Sequence, residues 1–447
     1  MVYNRYMDSP QNTHFVGIGG IGVSALAKYH LSKGKVVSGS DISPSSLTKE
    51  LENLGAKVFI GKHKKTNVPV KASKVIYTSA LSLENPEVKE AMSRGLNTQS
   101  YAQALGELTK DYKTITISGA HGKSTTTALS ALVLEQGGFD PTVIVGTKLK
   151  EFGNSNFRAG QSPYLVLEAD EWNKSFLNYH PTVAIVTNID TEHLDTYKNI
   201  AEIEKTFTEY LGRVADRGAI IANFDDERLR NIAQKFGEKV IWYSLQDKEA
   251  GFLRKILRVH GEHNVSNALA ALKLGRYLGM HEPVILQALE KFTGTWRRFE
   301  FKGVHNGAFI FNDYGHHPRE IQATLAAARS RFPFRRIWCV YQPHQHQRLA
   351  YLWDDFVGAF DAADRISLLP VYDVAGREIN EARKKVSSLK LSKALDKRGK
   401  NVSYLNSFSK AKDFIATHSK PGDVIMIMGA GDIYKLAERL DPSSLEI

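Results

Sequence analysis

Two glycine clusters offer chemistry before anything else in the chain does. Gly17-Ile18-Gly19-Gly20-Ile21-Gly22 follows the run His14-Phe15-Val16, and Asp41 stands 24 positions after Gly17. Glycines permit a tight turn and close backbone approach, and the helix start that follows offers unpaired N–H groups to an anion. The spacing suits a dinucleotide, another nucleotide diphosphate, or a turn that binds nothing. Asp41, in Ser38-Gly39-Ser40-Asp41, can equally cap or turn the chain.

The second cluster, Gly119-Ala120-His121-Gly122-Lys123-Ser124, lacks the full phosphate-loop spacing, because Ile117 stands where that pattern requires glycine. A Gly-x-x-Gly-Lys-Ser turn after a strand still makes an anion cradle. Backbone amides can hold phosphate oxygens, Lys123 can neutralise the β/γ region, and Ser124 can hold magnesium. This reading predicts ATP or a related triphosphate; a structural turn or another phosphate ligand is the alternative.

Two further groups gain meaning from their strands. Glu168 ends Tyr164-Leu165-Val166-Leu167 and opens Glu168-Ala169-Asp170-Glu171, while His193 lies shortly after the run 183–187. Parallel sheets gather functional loops at the carboxyl ends of their strands, so both can approach Lys123. Magnesium takes carboxylate oxygens readily and imidazole less often. Taken singly, Asp170 or Glu171 fits a surface carboxylate and His193 a helix cap.

The elements that must position these groups fall into three blocks. From residue 14 to about 108, short β-rich runs alternate with helical stretches, with strands predicted at 35–38, 56–60 and 74–77 and a helix at 22–32. The second block predicts a strand at 113–117, a helix at 125–136, strands at 164–167, 183–187, 219–222 and 240–242, and helices at 200–211, 264–278 and 283–292. The third predicts strands at 308–312, 336–341, 365–368, 402–405 and 424–428, with helices at 318–331 and 349–360. Such alternation argues for parallel sheets with crossover helices, hence an α/β chain of three domains, 1–108, 109–298 and 299–447.

Composition bounds the rest. The chain has 447 residues, 42% of them apolar and 24% charged, which fits several globular cores. Its one cysteine, Cys339, excludes an intrachain disulfide and a thiolate zinc site. The net charge of +11 comes from scattered basic residues with no nucleic-acid motif. It fits small anionic substrates and predicts no nucleic-acid partner. No secretory leader and no membrane-length apolar run is visible, which predicts a cytoplasmic protein. The oligomeric state is left open.

The motifs together are more specific than either cluster alone. HFVGIGGIGVSALA, SGAHGKSTTT, LEADEWNKSFL, VAIVTNIDTEHLDTY, GEHNVSNALAAL, GTWRRFE, NDYGHHPREI and MGAGDI occur in an order that resembles the Mur ligase family from about residue 14 to 436. The resemblance implies three domains: Rossmann-like N- and C-terminal sheets around a central phosphate-loop ATPase-like domain. It implies ATP and Mg2+ as cofactors, and UDP-N-acetylmuramate and L-alanine as substrates joined through an acyl phosphate. Carried residue by residue, it gives Lys123, Glu168, His193 and Arg298 catalytic roles. Gly119, Gly122, Lys123, Ser124, His263, Asn264, Asn267, Arg298 and Asp313 would bind ATP, with Ser124, Glu168 and His193 at the metal. The first glycine loop then receives the UDP portion, through Gly19, Gly20 and Gly22 with Ser40, Asp41, Thr78 and Ser79 nearby. Arg348 would meet a substrate carboxylate, for which a guanidinium fork is suited.

Against these roles stand plain alternatives: Arg297 adjoins Arg298, and the serines and threonines can complete turns or caps. His316 and His317 fit hydrogen bonding around a cleft better than a zinc site. Ala120 stands where many family members carry threonine, and Gln345-His346 departs from the arginine–tyrosine pair expected there. No lysine is given the carbamylated role, since neither Lys198 nor Lys205 has a matching place. The stretch 370–378 leans towards the alanine-adding members. A peptide-adding ligase of cell-wall recycling and a noncatalytic nucleotide sensor with this fold are the other readings.

Overall fold

Three sheets organise the chain in the computed structural model, which describes residues 12–193, 196–373 and 380–440. The first has five parallel strands in the order β3-β2-β1-β4-β5: β1 (Asn12–Val16), β2 (Val36–Asp41), β3 (Lys57–Ile60), β4 (Lys74–Tyr77) and β5 (Asn97–Ser100). The second has seven: β6 (Lys113–Ser118), β7 (Thr142–Leu149), β8 (Ser155–Arg158), β9 (Tyr164–Glu168), β10 (Val183–Val186), β11 (Ala219–Asn223) and β12 (Val240–Tyr243). Their order is β12-β11-β10-β6-β9-β7-β8, and only the β7–β8 pairing at the edge is antiparallel. The third contains β13 (Glu300–His305), β14 (Ala308–Asp313), β15 (Ile337–Tyr341), β16 (Arg365–Leu368), β17 (Val402–Tyr404) and β18 (Val424–Met428). It runs β13-β14-β18-β15-β16-β17, again with one antiparallel edge, β13 on β14.

Burial explains which strands are central. β10 (VAIV) and β18 (VIMIM) are buried at every residue, as strands covered by helices on both faces must be. The edge strands β5 (NTQS) and β8 (SNFR) are polar and only partly buried. Polar edges also discourage pairing with another chain.

The chain forms two compact units. One takes the residues up to Ser244 together with Asn267–Leu289, and so contains the first two sheets. The other takes Leu245–Ser266 and the residues from Glu290 onward, with the third sheet. Among the described residues, no helix is long and apolar enough to cross a membrane.

Within the first unit, a buried polar joint ties the first sheet's opening helix, Ile21–Ser32, to the edge of the second sheet. Lys28, 3% exposed, donates to Asn156 Oδ1 at 2.7 Å and Ser155 Oγ at 3.1 Å, and is ion-paired to Glu50. Asn156 Nδ2 in turn donates to Ser24 Oγ at 2.9 Å. Burial lowers the Lys28 ammonium from its usual range despite the Glu50 carboxylate.

Replacing Asn156 with alanine strips an acceptor from this buried cation. The expected cost is about 1–3 kcal/mol, read in urea as a lower midpoint at unchanged slope. An unmoved midpoint would show the joint to be idle.

Candidate active site

β6 ends at Ser118, and the chain turns through Gly119 at φ 128° and Gly122 at φ 86° before the helix Lys123–Gln136 begins. Side chains rarely adopt either conformation, so both glycines are conformational requirements. A Cβ on Gly122 would also meet Asn267 Oδ1 at 2.6 Å, which places Asn267 directly against the turn.

The loop after β10 braces this turn. Asn188 Oδ1 accepts from His121 N at 2.9 Å, while Thr187 Oγ1 and Asn188 Nδ2 donate to His121 O at 2.6 and 2.9 Å. The His121 ring meets Asp190 Oδ2 at 2.9 Å. Thr187, Asn188 and Asp190 lie inside the motif VAIVTNIDTEHLDTY but carry no assigned role in the sequence, because their partners at the turn are distant in the chain.

Lys123 folds back on its own loop. Its Nζ donates to Gly119 O at 2.6 Å and to both oxygens of Glu171, at 3.1 and 3.0 Å. Burial works against the ammonium, but the charges of Glu171, Asp170 and Glu168 outweigh it and hold Lys123 above the usual lysine range. It is therefore a fixed positive charge, held where a phosphate chain crossing the helix N-terminus would meet it.

Asp170, Glu171 and His193 bring ligand atoms within 4.8 Å of one another, close enough for one metal ion. His193 Nε2 lies 3.6 Å from Glu171 Oε1 and 3.8 Å from Asp170 Oδ1. His193 has φ 56°, and its carbonyl accepts from Thr196 N and Tyr197 N at 2.8 and 3.0 Å. Tyr197 also donates its hydroxyl proton to Glu171 O at 2.5 Å, so one loop sets both residues. An oxygen-rich group beside this glycine–lysine turn fits magnesium by the chemistry of its donors. Glu168 stands at the end of β9 with Oε1 accepting from Gly146 N at 2.7 Å, and Ser124 opens the helix half-buried.

At the first glycine cluster, Gly17 N and Ile18 N donate to Ser40 O at 2.8 and 2.9 Å, and Gly19 N donates to Asp41 Oδ2 at 2.8 Å. The turn is therefore held by the end of β2, and Asp41 gives one oxygen to the loop itself. Gly22 passes so close to Tyr101 that a Cβ would strike its ring. Gly20 caps the opening helix without a side chain, and is exposed. Ser40 is fully buried with Oγ turned inward, donating to Glu87 at 2.7 Å. Thr78 makes a turn, accepting from Leu81 N at 3.0 Å through its carbonyl, with half-buried Ser79 beside it.

The second unit carries the remaining candidates. Asp313, at the end of β14, accepts from Phe299 N at 2.8 Å and Gly315 N at 2.7 Å; burial raises its carboxyl against the pull of Arg298. Arg298 donates to Glu320 at 3.1 Å, and Glu320 closes a capping box with His317 at the helix Pro318–Arg331. His317 is thus a helix cap, and His316 lies 3.2 Å from Glu320 Oε2. Arg297 separates cleanly from its neighbour. It is 5% exposed, stacks against Trp296, Tyr314 and Tyr434, and donates to the carbonyls of Gly429 and Gly431.

Arg348 donates to His344 Nδ1 at 3.2 Å, and His344 stacks on Tyr372 at 5.5 Å. His346 reaches Asp373 at 2.7 Å, and Gln345 has φ 68°. Of the stretch 370–378, residues 374–378 lie outside the described residues. Asn264 Nδ2 donates to His260 O at 2.7 Å.

Parallel sheets bearing a lysine-containing phosphate turn, with carboxylates gathered beside it, define a nucleotide-using α/β enzyme. The chain belongs to the Mur ligase family. Residues 12–113 match the family's catalytic domain, 117–275 its middle domain and 297–431 its glutamate ligase domain. It is 38% identical to the UDP-N-acetylmuramate–L-alanine ligase of Clostridium acetobutylicum, over 98% of this chain and 99% of the relative. The enzyme of the same name from Acetivibrio thermocellus is 37% identical over 96% and 95%. Among solved structures, the UDP-N-acetylmuramate-alanine ligase of Thermotoga maritima superposes with a TM-score of 0.80 at 26% identity, covering 96% of this chain and 98% of that one. The murein peptide ligase of Psychrobacter arcticus shares the fold, with a TM-score of 0.70 at 23% identity over 98% and 99%. The three-domain family architecture expected from the motifs is the one present, with Rossmann-like sheets at both ends of the chain.

Burial, followed by the Arg298 charge, lowers the His263 imidazole from 6.5 to about 4. Between these values the unfolded chain takes up a proton that the folded chain refuses, so stability rises with pH there. His263 thus contributes fully above about 6.5 and loses that contribution as pH falls through about 4. Unfolding of His263→Gln should show a flatter pH dependence across this window than the unmodified protein. Parallel curves would contradict the assignment.

Proposed function

We propose that this chain joins L-alanine to the carboxylate of UDP-N-acetylmuramate with cleavage of ATP to ADP and phosphate, supplying a peptidoglycan precursor. The observation that carries this is the convergence of Lys123, Asp170, Glu171 and His193 at strand ends, in a chain aligned nearly end to end with alanine-adding ligases. The domains take residues 1–108, 109–298 and 299–447, serving the nucleotide sugar, ATP and the amino acid in turn.

A carboxylate resists attack by an amine because oxide is a poor leaving group. Transfer of the γ-phosphoryl group to a carboxylate oxygen makes an acyl phosphate. Attack by the neutral amine on its carbonyl carbon then expels phosphate. Lys123 stabilises the negative charge on the phosphate chain, and its fixed position means little reorganisation during transfer. Ser124, Glu168 and His193, with Asp170 and Glu171 beside them, would hold magnesium, which supplies charge neutralisation at the phosphates when bound. Arg298, Asp313, His263 and Asn264 carry the family's ATP-binding roles, and Asn267 supports the turn at Gly122. Gly19, Gly20 and Gly22 receive the diphosphate, with Ser40, Asp41, Thr78 and Ser79 shaping the surrounding loops. Arg348, oriented by His344, takes the acceptor's carboxylate.

With ATP, magnesium and UDP-N-acetylmuramate, L-alanine should yield UDP-N-acetylmuramoyl-L-alanine by mass, with one phosphate released per product. Lys123→Met should lower turnover by at least about 10²-fold. A peptide-linked product without appreciable alanine addition would overturn the reading in favour of a recycling ligase.

A further inference from the structure

Glu87 belongs to none of the motifs, yet its carboxylate gathers donors from two strands and from the segment 63–67. It lies in the first turn of the helix Pro86–Ser93 and is fully buried. It accepts from His14 Nε2 at 2.9 Å, Ser40 Oγ at 2.7 Å, His63 Nδ1 at 3.1 Å, Lys64 N at 3.3 Å and Asn67 Nδ2 at 2.8 Å. An ionised carboxylate can only accept, so both imidazoles donate to it. Burial alone would raise this carboxyl; the hydrogen bonds from His14, Ser40 and Asn67 reverse that and hold it at about 2.

A carboxylate this deep is costly unless donors surround it, and anchoring one short helix does not call for so many. The donors have a common geography. His14 lies on β1, Ser40 near the end of β2, and residues 63–67 on the segment that follows β3. Ser40 then passes the restraint on, because its carbonyl accepts from Gly17 N and Ile18 N at 2.8 and 2.9 Å. One buried charge thus ties the glycine turn to the end of β2 and to the segment following β3, at the strand ends where such sheets bind ligands.

We propose that Glu87 is a positioning residue for the nucleotide-sugar substrate, acting through Ser40 and residues 63–67 to fix the glycine turn 17–22 in its diphosphate-receiving form. This rests on the reading that the first glycine turn holds the UDP portion. Glu87 does not touch the substrate. Its effect is preorganisation, which lowers the ordering cost of binding.

The test is a pair of variants, Glu87→Gln and Ser40→Ala, in the full-length enzyme. The first keeps the shape but removes the charge and turns an acceptor into a donor; the second removes one bond and leaves the other four. Glu87→Gln should raise KM for UDP-N-acetylmuramate about tenfold, leaving KM for ATP and kcat at saturation within about twofold. Ser40→Ala should move the same constant in the same direction by less, and it decides the matter alone if Glu87→Gln does not fold. Calorimetry with UDP-N-acetylmuramate separates the layers of the argument. If the unmodified enzyme fails to bind it, both readings fall. If it binds and the variants match it, only the role of Glu87 falls. Equal losses for ATP and nucleotide sugar would mark general damage and also overturn the proposal.

Discussion

A half-buried lysine ammonium at a helix start needs an anion, and in this chain Glu171 supplies it at 3.0 Å. Everything around the second sheet's strand ends serves that interaction. Gly119 and Gly122 bend the chain so that Lys123 opens the helix, and Gly119 contributes its carbonyl to the same ammonium. Tyr197 fixes the Glu171 backbone, and the loop after β10 holds the turn through Asn188. On the proposed function, nucleotide binding would exchange partners: phosphate oxygens would take the lysine, leaving Glu171 to a cation with Asp170 and His193.

The same device recurs in each sheet with different chemistry. Glu87 collects donors beneath the first glycine turn, and Asp313 collects the amides of Phe299 and Gly315 at the end of β14. Each is a buried carboxylate at or below a strand's carboxyl end, stabilised by amides, hydroxyls or imidazoles from the loops it orders. Removing a partner leaves the charge short of donors, which is costlier than the bond is worth. That asymmetry favours a single arrangement of the segments each carboxylate joins, and fixed geometry is what positions reactants.

Much of the fold was legible because parallel strands between helices read as apolar runs; β10 and β18 could hardly be missed. The edge strands β5, β8 and β13 were not. β5 reads NTQS and β8 reads SNFR, and both pair only because a neighbouring strand offers its backbone. The antiparallel pairings of β8 and β13 likewise depend on which edge is free, which no local pattern records. The segment expected as one helix at 349–360 is two, His346–Tyr351 and Trp353–Gly358, and the helix expected from 125 starts at Lys123. At the site, glycines and Lys123 announced themselves by type and spacing. Glu87, Asn188 and Asp190 act through partners far away in sequence, and Arg297 could be told from Arg298 only once burial separated a stacked, enclosed guanidinium from one paired with Glu320.

The most direct measurement is the affinity for ATP without magnesium, with chelator present, in the unmodified enzyme and in Glu171→Gln. If Glu171 holds Lys123 in place of phosphate, removing its charge frees the lysine and relieves repulsion of the nucleotide. The variant should then bind magnesium-free ATP several-fold more tightly, an increment of about 1 kcal/mol, and lose most of the gain that magnesium gives the unmodified enzyme. Equal or weaker binding by the variant would contradict the account, since Glu171 would then not be competing for Lys123.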